Sequence, residues 1–448
     1  MTTAHRSEAS ARPGKDTRPA SSSEEYEHIP VPATARRSLL SVAATWFGFP
    51  MNLGSAVFGG VIVYNLGLPR GLLAILIGNL VLFAYVGALS HQAGSTGKNF
   101  ALLAADTFGS RGRNLPAGLL ATVVVGWFSF QVGLTGTTLG GALGWSALAG
   151  TAIGGVLYTL LTMAGIRALS LIGMIAMPLF LVLTVVALAF GLDTRTSPAD
   201  TFGYGGAGTA LGFGGAVAIV VAGFADSGTM TADFTRWSRD GRSAVLATLT
   251  AFPFANFLAN AAGGFVVAVG GTADPATDGG GFLNLLTGHS PLLTALAVVF
   301  VFVNLGSVAS HCLYNGAVGW SALTPVRMRP LTLVLGAVGM VLALSGVWGH
   351  FLDWLNLLGV LVPPIGAVLI TDRLLRDRLG DRPTGRYRVT ALAAWAAGAT
   401  VAAITHHTSP EFVDPVVGMI TAAAVYAAAE TAVRRRSAAA HPDTAVAA

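Results

Sequence analysis

Long apolar runs dominate the chain, and short polar stretches between them hold almost all of its charge. A helix needs about 20 mostly apolar residues to cross the hydrocarbon core. Runs of that length fall at about 38–64, 71–94, 116–143, 146–168, 169–192 and 207–233, then at about 243–270, 291–318, 330–349, 351–371, 388–407 and 414–434. The pattern predicts an all-α polytopic membrane protein with 12 transmembrane helices. The fourth and fifth runs are nearly continuous, divided only around Gly165–Ser170.

Basic residues give an independent check, because lysine and arginine concentrate in cytoplasmic loops. With the N-terminus inside, all of the 26 basic residues except Arg70 and Arg195 fall in cytoplasmic segments. A wrong span count would scramble that alternation. Both termini are therefore expected in the cytoplasm and the chain in the cell membrane, with the lipid bilayer as its partner. Residues 1–35 and 437–448 read as disordered cytoplasmic tails around a membrane-spanning region at 36–436, the first without the apolar core of a signal peptide. Gly97–Pro116 mixes Phe100, Leu102, Leu103 and Phe108 with polar residues, as an amphipathic helix at the cytoplasmic surface would.

Composition agrees. The 448 residues are 53% hydrophobic and 10% charged, against about 25% charged in soluble domains. That excludes an ordinary soluble enzyme and a disordered chain. The basic pI of about 9.6 reports topology and not a nucleic-acid partner; the Arg-rich stretch Asp372–Arg388 reads as a loop facing lipid headgroups. A single cysteine, Cys312, excludes a disulfide framework and a thiolate zinc site. Nothing in the chain calls for a cofactor, and a monomer fits these features.

Most of the 57 glycines need only the close approach of membrane helices as explanation. Two clusters differ, being mid-span with polar neighbours: Gly48-Phe49-Pro50-Met51-Asn52-Leu53-Gly54-Ser55 in the first run and Gly223-Phe224-Ala225-Asp226-Ser227-Gly228-Thr229 in the sixth. Pro50 removes a backbone donor and clashes with the preceding turn. Irregular backbone at membrane depth survives where protein or a watery cavity satisfies it. Interrupted helices at corresponding places in two halves point to a secondary transporter's site, and these open the first and second five-helix units, about 38–192 and 207–371, with two further helices at about 388–434. A pair of packing kinks is the plainer alternative. Asp226 weighs against it, since a mid-span carboxylate costs about 2.5–3.5 kcal/mol on insertion scales.

Around these residues the chain resembles the nucleobase:cation symporters of the purine–cytosine permease group, and within it the bacterial cytosine permeases. The stretches that carry the resemblance are VPATARRSLL (31–40), AILIGNLVL (74–82), VGWF (125–128), GTMTADFTRWSRD (228–240) and VPPIGAVLITDRLL (362–375). It runs from about Pro30 to Val433, and Thr231–Arg236 is its most specific part. It implies a LeuT-like fold, two inverted five-helix repeats plus two additional helices, and uptake of a nucleobase or related heterocycle driven by sodium or protons.

The resemblance also implies an aromatic sandwich around the flat substrate ring, formed by Trp127 and Phe224, an arrangement suited to a neutral heteroaromatic. Gln131 lies four residues after Trp127, on the same helical face. Some family members use a Gln there, whereas cytosine permeases place one where this chain has Val124. Gly223 and Ala225 are expected to offer backbone groups to substrate. Where cytosine permease has a Ser, this chain has Asp226, which leaves three readings open: an acceptor for an amino-pyrimidine edge, a carrier of the coupling proton, or a carboxylate satisfied by unwound backbone.

Sodium in this fold is held by carbonyls of the first break and two hydroxyls on the eighth helix, and hard oxygen ligands suit it. Gly48, Met51 and Asn52 supply the first part; Ser307 keeps one hydroxyl, but Val308 occupies the place of the second. Asn304 and His311 flank that site, and His311 with Asp226 makes proton coupling an equal alternative. Lesser ionisable residues read as structural: Asp233, Arg236, Asp353, Asp372 and Glu430. His406-His407 lacks a third metal ligand, and Pro363-Pro364 interrupts the tenth helix.

The reading is a secondary active transporter importing cytosine or a related nucleobase by cation symport through alternating access. A permease of the same fold for an aminopyrimidine vitamin precursor or an allantoin- or hydantoin-like compound is the near alternative. A membrane-embedded enzyme lacks a nucleophile–base motif, a metal cluster or a phosphate loop, and a non-transporting receptor leaves the two broken helices unexplained.

Overall fold

The structure, a computed structural model, describes residues 26, 28–194, 196–381 and 385–440. Most of the N-terminal tail, the C-terminal one from 441 onward, and Arg195 lie outside them. Among the described residues the regular structure is all helical, without a strand. Nine of the described helices are long and apolar enough to cross a membrane, or ten when Leu39–Gly48 and Leu53–Leu66, bent by 60°, are taken as one span. Two shorter apolar helices, Phe213–Ala222 and Met328–Leu344, accompany them.

Helix boundaries follow local chemistry. The fourth and fifth apolar runs part at Gly165, whose φ of +87° only glycine adopts without strain. Ser38, Asn52, Ser146, Asp240 and Ser290 cap helix starts by accepting a backbone N–H three residues on, a contribution of typically about 1 kcal/mol each. The tenth run breaks between Phe351–Leu361 and Pro363–Leu379. There Ile365 N–H turns to Val362 O, and the freed Leu361 carbonyl accepts Trp395 Nε1–H at 2.8 Å.

The second half of the first run forms the centre, with every residue from Leu53 to Val63 buried. It crosses Asn256–Ala268 backbone to backbone: a Cβ on Gly59 would stand 1.7 Å from Asn260 O, and one on Gly263 1.7 Å from Ala56 O. Buried amides fasten the crossing, Asn256 Nδ2 donating to Asn79 Oδ1 and Asn260 Nδ2 to Ser55 O, each at 2.9 Å. Leu171–Asp193, by contrast, turns Leu171, Met174, Val182 and Val185 outward, as a lipid-facing helix does.

One end of the bundle gathers the basic segments. Arg36 bonds Gly94 and Arg239, Lys98 pairs with Asp106 at 2.5 Å, and the 108–112 turn pairs with Gly385, Arg386 and Arg388. Asp372 is the hub there: it accepts from Thr107 Oγ1 at 2.7 Å, Arg388 Nη1 at 2.9 Å, Tyr426 OH at 2.7 Å and Arg376. The expected amphipathic helix forms at Phe100–Phe108, but Phe100, Leu103 and Phe108 are buried against the bundle. Its apolar face is thus taken up by protein, and Asp233 helps seat it by accepting Phe100 N–H at 3.0 Å.

Candidate functional site

Both predicted breaks are present. After Gly48 the chain unwinds through Pro50 and restarts at Leu53. Asn52 holds the restart: its Oδ1 accepts Ser55 N–H at 3.0 Å, while its Nδ2 donates to the Phe49 and Pro50 carbonyls at 3.2 and 3.3 Å. Asn304 reaches in from Pro291–Leu323, donating to Met51 O at 3.1 Å and accepting Leu53 N–H at 2.8 Å. In the sixth run, Phe213–Ala222 ends at Gly223, and Phe224 (φ −133°, ψ 19°) resets the backbone before Ala225–Thr229.

Between the breaks lies a narrow cavity lined by residues of both and by two facing helices. Trp127 and Gln131 line it from Asn114–Leu143, and Gly223, Phe224 and Ser227 from the second break. Phe49, Asn52, Ser55 and Phe58 contribute from the first, and Val308 and Cys312 from Pro291–Leu323. Trp127 packs on Phe58 at 5.9 Å and Phe130 at 6.5 Å, whereas Phe224 packs on Phe49 at 6.1 Å and Phe252 at 5.3 Å. The two rings thus border one cavity, each supported from behind. Gly54 lets two amides share a corner: a Cβ there would lie 3.0 Å from Asn52 Oδ1 and 3.1 Å from the Gln131 amide. The polar lining groups are amides and hydroxyls, and no charged side chain is among them.

Asp226 lies directly behind the cavity wall. Its side chain is fully buried and outside the cavity lining, which its neighbour Ser227 reaches instead. Oδ1 accepts Ser227 N–H at 2.7 Å and Oδ2 has no hydrogen-bond partner; the Trp127 indole and Cys312 thiol are its other polar neighbours. Ala225 is likewise buried behind the wall, its carbonyl accepting Thr229 Oγ1–H at 2.6 Å.

Around the expected sodium site, Gly48 O accepts Met51 N–H at 3.3 Å, and His311 Nδ1 lies 2.7 Å from Ser307 O one turn back on its own helix. Ser307 is buried and Val308 faces the cavity. His406 pairs with Asp414 at 3.2 Å, and no group of three or more His, Cys, Asp or Glu side chains stands ready for a metal among the described residues.

Five lining residues carry no binding role in the sequence reading: Phe49, Ser55, Phe58, Ser227 and Cys312. Helical spacing was the available signal for three of them. Ser55 and Phe58 follow Asn52 at steps of three, and Cys312 follows Val308 at four, the spacings that share a helix face.

Residues 30–427 match the family described as permeases for cytosine/purines, uracil, thiamine and allantoin. The chain belongs to this permease family. It is 31% identical over 361 residues to the cytosine permease of Escherichia coli strain K12, a match covering 79% of this permease and 82% of that one. Its fold is similar to that of Mhp1, a nucleobase-cation-symport-1 family transporter, in a closed conformation with bromovinylhydantoin bound: TM-score 0.74 at 21% identity, over 92% of this chain and 96% of that one. The inward-facing conformation of Mhp1 gives a TM-score of 0.77 at 21% identity, over 91% and 93%. The permease is therefore a multi-pass membrane transporter and not an enzyme, as the resemblance implied.

Proposed function

We propose that this permease imports cytosine or a related neutral nucleobase by cation symport, exposing the cavity between its two broken helices to each side in turn. The observation that carries the reading is the cavity itself. Two supported aromatic rings, Trp127 and Phe224, border a space whose polar edges are Asn52, Ser55, Gln131 and Ser227. Stacking holds a flat ring and neutral amides and hydroxyls pair its edge. Charged substrates would enter without a counter-charge in the lining.

The proposal includes 12 spans. The ten spans counted with the bent pair, together with the shorter Phe213–Ala222 and Met328–Leu344, supply that number, arranged as two five-helix repeats (about 38–192 and 207–371) plus helices at about 388–434. The basic end is placed in the cytoplasm, with both termini, by the distribution of lysine and arginine.

For coupling, a proton at Asp226 is the favoured reading. The carboxylate is fully buried, and Ser227 links it to the cavity. Sodium would use Ser307 and the carbonyls near Gly48, Met51 and Asn52; Val308 removes one hydroxyl from that set, and Met51 O already accepts Asn304.

A thermal-shift screen of the purified protein against nucleobases, aminopyrimidines, hydantoins and charged vitamins, with and without sodium, tests the proposal. Stabilisation by cytosine or a neutral relative supports it. Stabilisation confined to charged vitamins, or by none of the panel, contradicts it.

A further inference from the structure

A strap of chain crosses the basic end just ahead of the first half-helix. Val31 is only 2% exposed, and its amide donates to Gly97 O at 2.9 Å. Arg36 Nη1 donates to both Gly94 O, at 2.7 Å, and Arg239 O, at 3.1 Å. One guanidinium thus ties the end of Leu68–Thr96 to the turn before Gly241–Leu249. Arg37 N–H donates to Trp237 O at 2.7 Å, and its guanidinium lies 4.9 Å over the Trp237 ring. Arg236 covers that ring at 5.3 Å and donates to Tyr26 O at 2.9 Å, while Tyr26 meets the ring edge-on at 5.9 Å.

Beneath the strap lies an aromatic floor under the cavity. Phe49 lines the cavity and meets Phe224 and Phe234 at 6.1 and 6.0 Å. Trp46 stacks on Phe234 at 4.7 Å. Both floor aromatics ride on Leu39–Gly48 or the residue after it, a 10-residue helix in which only Val42, Ala43 and Trp46 are buried. A helix that short does not hold itself in water. Val42 and Ala43 pack on Ala247 and Trp237, so Trp237, which also anchors the strap, supports this helix between the strap and the floor.

We infer that Tyr26 and residues 28–38 are a latch that holds the cytoplasmic path to the cavity shut, with Arg36 and Trp237 as its fasteners. The inference rests on the proposed orientation and on alternating access through this cavity. Its bonds are hydrogen bonds to carbonyls and cation–π contacts, each modest and reversible. Their sum therefore sets how often the cavity opens inward, as any differential contact biases a two-state equilibrium.

Cys312, the one cysteine of the chain, lines the cavity and is 4% exposed, so it reports opening without requiring transport. The experiment measures its modification by a membrane-impermeant methanethiosulfonate in inside-out and right-side-out vesicles holding the full chain, with Cys312→Ser as background. Arg36→Gln and Trp237→Ala are expected to raise labelling from the cytoplasmic face about fivefold or more, with no rise from outside. Arg37→Gln, which loses one cation–π contact, gives a smaller rise, as does Trp237→Phe, which keeps a ring in place should the alanine variant fail to fold. Unchanged rates, or an equal rise from both faces, would overturn the latch. A rise confined to the external face would support the latch and overturn the orientation.

Discussion

Asn304 clamps the break that follows Pro50, donating to Met51 O at 3.1 Å while its Oδ1 accepts Leu53 N–H at 2.8 Å. One side chain satisfies two backbone groups that the proline and the restart of the helix leave open, at a depth where water cannot replace it. The break is therefore built jointly by the first and eighth apolar runs.

Asn304→Ala leaves both groups buried and unpaired, at about 1–3 kcal/mol each. The variant is expected to melt well below the parent in detergent and to lose transport with it. A parent-like melting curve would show that the break satisfies itself without Asn304.

The Asp372 hub predicts a larger effect from a residue remote from the cavity. Asp372→Ala takes the carboxylate from buried Arg388, leaving it Tyr426 OH at 3.3 Å, and leaves Arg376 with Asp106 alone; breaking a buried pair from one side costs about 3–5 kcal/mol. Lys98→Ala removes a pair whose side chains are 31% and 29% exposed, and less than about 1 kcal/mol follows. Denaturant melts of the two variants are expected to differ in that order; equal melts would contradict the hub.

The ends of the site differ in how far they could be read from the chain. Pro50 and the Gly223 cluster announce both breaks, and the alternation of basic residues announces which loops meet at one end, as Arg36, Gly94 and Arg239 do. Trp127 and Gln131 keep helical register and face the cavity as their spacing requires. Beyond Phe224 that register fails, because its φ of −133° and ψ of 19° break the rotation of about 100° per residue on which face assignments rest. Hence Ser227 lines the cavity and Asp226 lies behind it. The Asp372 hub joins residues 16 and 54 positions away in sequence, and no periodicity links them.

Coupling has its own test. With a pH gradient alone, acid outside, the parent is expected to accumulate substrate, whereas a sodium gradient alone drives none. Asp226→Asn is expected to exchange substrate across the membrane but not to concentrate it. Full proton-driven accumulation by Asp226→Asn would remove the carboxylate from the coupling step, and accumulation driven only by sodium would return the site to Ser307 and the first break.

Uptake of labelled cytosine into proteoliposomes, measured side by side for the parent, Trp127→Ala and Phe224→Ala, tests the central claim most directly. Aromatic stacking on a base is worth about 1–3 kcal/mol, so each variant should lose roughly 5- to 150-fold in affinity while remaining folded by size exclusion. The account predicts saturable uptake by the parent, competed by related neutral nucleobases and weakened to that extent in both variants. Parent uptake indistinguishable from empty vesicles, or undiminished uptake by either folded variant, would contradict it.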